Sequence, residues 1–173
     1  AEAGLALGTN FAAGMVFLPT DPAAAAQARD ALAAALTAQG LHVAGWRVVP
    51  VSLDDCGPIA LQGMPRIEQV FVDADEALLA MDFERALYLA RRAAEKTLAA
   101  LAEFYVVSLS TSTIGYKAMV LPDALLPLFP DLARPELASS VVVFHQRFST
   151  NTAPAWKLAQ PFRLLAHNGE INT

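Results

Sequence analysis

Val141-Val142-Val143-Phe144-His145-Gln146-Arg147-Phe148-Ser149-Thr150-Asn151-Thr152 is followed, after a loop carrying Trp156, by Leu165-Ala166-His167-Asn168-Gly169-Glu170-Ile171-Asn172-Thr173. The first run opens on apolar and β-branched residues, which suit a pleated surface. Read as a strand, it alternates between faces. Val141, Val143, His145 and Arg147 then share one side, and Val142, Phe144, Gln146 and Phe148 the other. The second run is apolar and delivers Asn-Gly. Polar groups gathered at the ends of apolar strands point to a site on a scaffold.

Arg147 ends the first run. A guanidinium presents a fork of donors that matches both oxygens of a carboxylate. Ser149, Thr150, Asn151 and Thr152 follow at once with hydroxyl and amide partners. The same pattern also fits an exposed arginine closing a strand before a polar turn. Asn168-Gly169 carries two compatible readings. Both residues tolerate positive φ, so the pair suits a tight hairpin turn. An amide side chain beside the N–H of a residue without Cβ can also aim two donors at one developing negative oxygen.

The rest of the chain alternates strands and helices. Met15 to Leu18 reads as a buried strand ended by Pro19. Asp21-Pro22 opens a helix over Ala23 to Gln39, because Asp caps and Pro is tolerated in the first turn. Gly40 ends it, and Leu32 and Leu36 are candidate core residues. Leu41 to Val51 is a strand with Trp46 in the core, and Ser52 to Gly63 a connecting loop. Arg66 to Asp73 alternates with the period of a strand. Asp82 caps an amphipathic helix over Phe83 to Leu101 whose charges form a solvated face. Phe104 to Leu109 and Ile114 to Val120 pair as a β-hairpin, with Lys117 solvated. Pro122-Asp123 opens a short helix through Phe129, and a turn leads to the strand at Ser140. Helices between groups of strands imply a layered architecture.

Composition sets the outer limits. At 173 residues the length suits one domain or part of one. The hydrophobic fraction of 55 % supplies a core, and the net charge of −5 leaves no basic footprint for nucleic acid. No apolar run is long enough to cross a bilayer, so no membrane partner is expected. A single cysteine excludes an internal disulfide and fits a reducing compartment, so a cytoplasmic location is expected. That cysteine, Cys56, stands between Asp55 and Gly57, with Asp54 one residue further back. Nearby negative charge disfavours a thiolate, so Cys56 is not expected to be a nucleophile.

Arg147-Phe148-Ser149-Thr150-Asn151-Thr152, Trp156, Gln160-Pro161-Phe162-Arg163 and Ala166-His167-Asn168-Gly169-Glu170-Ile171-Asn172-Thr173 together resemble the glutamine amidotransferase domain of the glutamate synthase large chain. More broadly they resemble the class II amidotransferases, whose glutaminase domains are N-terminal-nucleophile hydrolases. Gly14-Met15-Val16-Phe17-Leu18-Pro19, Gly45-Trp46-Arg47-Val48-Val49-Pro50-Val51, Pro65-Arg66-Ile67-Glu68-Gln69-Val70-Phe71-Val72, Phe104-Tyr105-Val106-Val107-Ser108-Leu109-Ser110 and Ile114-Gly115-Tyr116-Lys117-Ala118-Met119 extend the resemblance over almost the whole chain.

The resemblance implies an α+β fold, a four-layer αββα sandwich with two antiparallel sheets, incomplete here. It implies hydrolysis of L-glutamine to glutamate and ammonia by acyl transfer, for reductive transfer to 2-oxoglutarate. Arg147 would hold the α-carboxylate of glutamine and Thr150 would orient the same end. The Asn168 amide and the Gly169 N–H would stabilise the tetrahedral oxyanion. Trp156 is expected to pack, and His145 and His167 to be structural. The nucleophile of such enzymes is a cysteine at the mature N-terminus. Residues 1–173 therefore read as a partial type 2 amidotransferase domain without the nucleophile strand or the C-terminal part, inactive alone. No cofactor is expected in this piece; the parent protein would carry FMN and an iron–sulfur cluster. Its partners would be the remaining synthase domains and an electron-donating subunit or ferredoxin. The alternatives are another class II amidotransferase, or an inert homologue that binds glutamine without cleaving it.

Overall fold

The computed structural model describes residues 4–54, 56–147 and 153–162. In chain order the main elements are β1 (Phe11–Leu18), α1 (Pro22–Thr37), β2 (His42–Val48), α2 (Pro58–Gln62), β3 (Arg66–Asp73), α3 (Ala80–Thr97), β4 (Tyr105–Ser110) and α4 (Leu125–Leu128). The chain forms two compact units. One comprises Ala1–Val48 and Pro65–Gly115, the other Val49–Met64 and Tyr116–Thr173.

The first unit is α+β, built on a four-stranded sheet of order β2-β3-β1-β4 in which all neighbours run antiparallel. β1 pairs with β3 without interruption from Phe11↔Asp73 to Leu18↔Arg66. Irregularities mark the two outer pairings, between Met15 and Val16 against β4 and between Val43 and Gly45 against β3. Such interruptions bend a strand and increase its local twist.

Helix α1 begins as its residues dictate: the Asp21 carboxylate accepts from the Ala24 N–H at 2.8 Å and Pro22 occupies the first turn. Beyond its end, Gly40 takes φ +75°, a conformation that suits glycine. Helix α3 starts earlier than its sequence suggests. Leu79 holds the capping position and Asp82 lies within the first turn, where its charge still complements the helix dipole.

Both helices bury a stripe of small and branched side chains. Leu32 and Leu36 of α1 and Phe83 and Leu87 of α3 join Val16, Leu18, Val70, Val72, Val106 and Leu109 of the sheet in one core. Ala25, Ala28, Ala90 and Ala94 complete the stripes. Burying each leucine contributes about 1.5–3 kcal/mol. Trp46 is half-buried against this cluster rather than enclosed by it. Met15, Phe17 and Ile67, on the alternate positions of β1 and β3, are buried as well. Both faces of the sheet are therefore apolar near its centre.

Two carboxylates are drawn out of solvent here, Glu68 fully and Glu84, expected on the solvated face of α3, in part. Glu68 is 1 % exposed on its strand and is held by Arg66 and by Arg29, the latter at 3.4 Å. Taking a carboxylate out of water is costly without such partners. Glu84 of α3 leaves the solvated face and accepts from Ser110 Oγ at 2.7 Å, the Thr111 N–H at 2.7 Å and Thr111 Oγ1 at 2.9 Å. The remaining charges behave as a helix surface, with Glu95 paired to Arg91 and Arg92. Burial pushes the Tyr105 phenol above its usual range, a shift that the Arg91 guanidinium opposes.

The expected β-hairpin does not form. Ile114 to Val120 is not a strand. Instead of a ladder, the Gly115 N–H donates to Ser108 Oγ at 3.0 Å. Glu84 takes up the donors of Ser110 and Thr111 just past β4, so the chain turns away there.

Gly14 lies where the sheet is most crowded. A Cβ there would approach the Ser108 carbonyl oxygen to 2.9 Å, Leu109 Cδ1 to 2.8 Å and Val70 Cγ1 to 2.9 Å. Backbone on a paired strand cannot yield as a flexible side chain can. Gly14→Val is expected to destabilise the protein by about 1–3 kcal/mol, read as a lower denaturant midpoint at unchanged slope. An unchanged midpoint would show that the sheet relaxes freely at this position.

The second unit consists of short pieces. Besides α2 and α4 it has single 3₁₀ turns at Pro122–Ala124, Pro130–Ala133 and Trp156–Leu158. Helix α2 falls inside the segment expected to be a plain loop; Pro58 at its start supplies the signal. Leu128 and Phe129 are enclosed, Tyr116 meets Phe129 edge-on at 5.2 Å, and the Tyr116 hydroxyl donates to Asp131 at 3.2 Å. Val141 to Arg147 is irregular rather than a strand, and Val141–Phe144 are 73–80 % exposed. β-branched residues prefer a sheet only where a neighbour offers hydrogen bonds and a face to pack on. Among the described residues none pairs with this run. No helix among the described residues is long and apolar enough to cross a membrane.

Candidate functional site

Of the four residues expected to handle substrate, Arg147 is described, and it belongs to the second unit. Arg147 is exposed at the end of the irregular run, and its carbonyl oxygen lies in hydrogen-bond contact with His145 Nε2. Thr150, Asn168 and Gly169 lie outside the described residues, as does His167. What the structure does describe is the segment that joins the two motifs.

That segment, residues 153–162, is tied down at two points. Trp156 is 4 % exposed and its Nε1–H donates to the Ala60 carbonyl in α2 at 2.9 Å. The packing role expected of Trp156 accounts for both facts, since a buried indole needs an acceptor. The second tie comes from Lys117. Its ammonium donates to the carbonyls of Lys157 at 2.8 Å and Ala159 at 2.9 Å, and it sits 4.9 Å from the centre of the Phe162 ring. Lys117 is 2 % exposed, which corrects the expectation of a solvated side chain. A lysine is enclosed only when its charge finds compensating acceptors such as carbonyls, or rings.

An open cleft of about 260 Å³ lies along this segment, lined by Ile59, Gln62, Gly63, Met119, Pro154, Ala155 and Trp156. Its walls are largely apolar, with the Gln62 amide as a polar group. Cys56 is half-buried nearby in sequence, its N–H donating to the Leu53 carbonyl at 3.0 Å. Among the described residues no group of three or more His, Cys, Asp or Glu side chains could hold a metal ion.

Lys117 is the residue that sequence reasoning placed wrongly. The signal was present: it stands between Ile114 and Met119 in a run that is otherwise apolar apart from Tyr116. Once that run is not a hairpin strand, alternation no longer puts its side chain in water.

The model of the class-II glutamine amidotransferases matches residues 1–173. The chain is 43 % identical over 168 residues to a chloroplastic ferredoxin-dependent glutamate synthase of Oryza sativa subsp. japonica, covering 95 % of this chain and 10 % of that protein. It is 46 % identical over 166 residues to ferredoxin-dependent glutamate synthase 2 of Synechocystis sp., covering 96 % and 10 %. It is 43 % identical over 167 residues to the glutamate synthase [NADPH] large chain of Azospirillum brasilense, covering 95 % and 11 %. The chain thus spans about a tenth of the length of these relatives. With a family match from first residue to last, this chain belongs to the class-II glutamine amidotransferases.

Proposed function

We propose that these residues form part of the glutaminase domain of a glutamate synthase, which hydrolyses L-glutamine to glutamate and ammonia. The observation that carries this reading is the family match over all 173 residues, together with 43–46 % identity to three proteins named glutamate synthase. Arg147 holds the α-carboxylate of glutamine and Thr150 orients the same end. A thiolate attacks the side-chain amide carbon; the Asn168 amide and the Gly169 N–H receive the negative oxygen of the tetrahedral intermediate. Ammonia leaves, and water then cleaves the thioester to release glutamate.

The nucleophile in this reading is a cysteine supplied from outside these 173 residues. Cys56, the one cysteine present, is half-buried and directly follows Asp54-Asp55 in sequence, and nearby carboxylates oppose a thiolate. Cys56→Ser in the full-length protein is therefore expected to keep kcat for glutamine within about twofold. Loss of activity in that variant would move the nucleophile to Cys56 and overturn the assignment.

The reading extends to the fold and to the longer protein. A sheet that is apolar on both faces, with α1 and α3 packed on one of them, suits the inner position of a four-layer αββα sandwich. Residues 1–173 are then a partial type 2 amidotransferase domain. One cysteine cannot ligate an iron–sulfur cluster, which takes four thiolates. The cluster is accordingly assigned to other parts of the protein, and FMN is proposed to lie there with it, the two supplying electrons for reducing the 2-oxoglutarate adduct. The electron donor is ferredoxin or an NADPH-linked subunit, and the ammonia acceptor is 2-oxoglutarate.

A further inference from the structure

We infer that the outer face of α3 docks an acidic, partly apolar surface supplied by the same polypeptide from outside residues 1–173; this rests on the reading above in placing these residues within a longer protein.

Met81, Arg85, Tyr88, Leu89, Arg92 and Lys96 lie on one side of α3, opposite the buried stripe of Phe83, Leu87, Ala90 and Ala94. Met81 is 80 % exposed, Tyr88 44 % and Leu89 42 %. Large apolar and aromatic side chains gathered on one exposed face mark a surface that another surface covers.

The charge of this face runs against that of the chain. Residues 85–96 carry Arg85, Arg91, Arg92 and Lys96 against the single carboxylate of Glu95, a net +3 within a chain of net −5. A solvated helix face ordinarily mixes the signs, with each glutamate one turn from its own cation. Here Arg91 and Arg92 share Glu95, at 2.7 and 2.6 Å. Neither Arg85 nor Lys96 is ion-paired to a carboxylate among the described residues. Glu84, the acid beside Arg85, is turned to Ser110 and Thr111 instead. The outer face of α3 therefore presents uncompensated cations around an apolar centre.

Carboxylates set around an apolar patch are the complement of that pattern. Tyr, Met and Arg are the side chains that protein interfaces favour. A polyphosphate backbone would match the cations and leave Met81 and Leu89 in water. The partner is assigned to the same polypeptide because this chain spans about a tenth of the length of its relatives. A surface tethered in the same protein acts at an effective concentration on the order of millimolar, ahead of any separate molecule.

The test uses the full-length protein beside its Arg85→Glu/Arg92→Glu variant. Hydroxyl-radical footprinting reads the cover, since a thioether and a phenol both oxidise readily in contact with water. Met81 and Tyr88 are expected to oxidise about fivefold or more slowly in wild type than in the variant, where like charges face each other and part the surfaces. A water-soluble carbodiimide identifies the partner. It joins the Lys96 amine to a carboxylate in contact, forming an amide as the reagent becomes a urea. The expected product links Lys96 to an Asp or Glu outside residues 1–173 and keeps the mass of a single protomer. Arg85→Lys should add a second link to the same region. The wild-type Lys96 link carries the test where the double variant does not fold.

Met81 and Tyr88 as reactive in wild type as in the variant overturn the inference. Lys96 left uncoupled, or coupled only within residues 1–173, to a second copy or to a separate protein, overturns it as well. Protection with the expected link, in a protein that does not hydrolyse glutamine, supports the inference and overturns the glutaminase reading instead.

Discussion

Asn168→Ala is expected to lower kcat for glutamine hydrolysis by about 10²–10³-fold while KM changes little, the pattern of a donor that matters only in the transition state. The amide of Asn168 is assigned to the oxygen that becomes negative when the thiolate adds to the substrate carbonyl. In the ground state that oxygen is a neutral acceptor and gains little from one more donor. In the tetrahedral intermediate it carries the charge. The expected loss corresponds to about 3–4 kcal/mol. Single-turnover measurement should place the defect in acylation. An unchanged acylation rate would remove Asn168 from the oxyanion site and leave Asn168-Gly169 as a turn. Asn168→Asp is a stricter companion, since a carboxylate has no donor to offer at neutral pH.

Arg147→Ala is expected to act on the other end of the substrate, raising KM for glutamine by about 10–100-fold with a smaller change in kcat. A guanidinium that grips the α-carboxylate does so in ground state and transition state alike, which is uniform binding. The exposure of Arg147 in the described structure leaves its fork accessible to a ligand. Arg147→Lys should recover only part of the affinity, because an ammonium cannot reproduce the two parallel bonds of the planar group. Discrimination sharpens the test. Substrates that lack the α-carboxylate should be used equally poorly by wild type and variant. A variant that still prefers glutamine over its decarboxylated analogue would assign the carboxylate to another group.

Local signals were legible where the chain supplies its own partners. The Arg66 to Asp73 period gives the boundaries of β3 because both neighbours of that strand lie within the same unit. Asp21-Pro22 starts α1 because capping is a matter of a few adjacent residues. Errors arose where a partner had to be inferred. Ile114 to Val120 and Val141 to Phe144 have the composition of strands, yet a strand requires a ladder and neither run has one among the described residues. The solvated position expected for Lys117 fails with the hairpin, and its side chain instead supplies one of the two ties that anchor the linking segment. Glu84 belongs by sequence to the charged face of its helix; only the folded chain reveals the Ser110-Thr111 donors that draw it inward, and Arg29 beside the buried Glu68. The chemistry proposed for Arg147, Thr150, Asn168 and Gly169 rests on family resemblance rather than on periodicity.

The most direct measurement is a structure of the full-length protein with glutamine bound to a nucleophile-disabled form. The expected result is one glutamine whose α-carboxylate accepts from both arms of the Arg147 guanidinium, while the Asn168 amide and the Gly169 N–H point at its side-chain carbonyl oxygen from about 3 Å. Glutamine held at one end by Arg147 with the Asn168-Gly169 corner turned away, or held by neither, would contradict it.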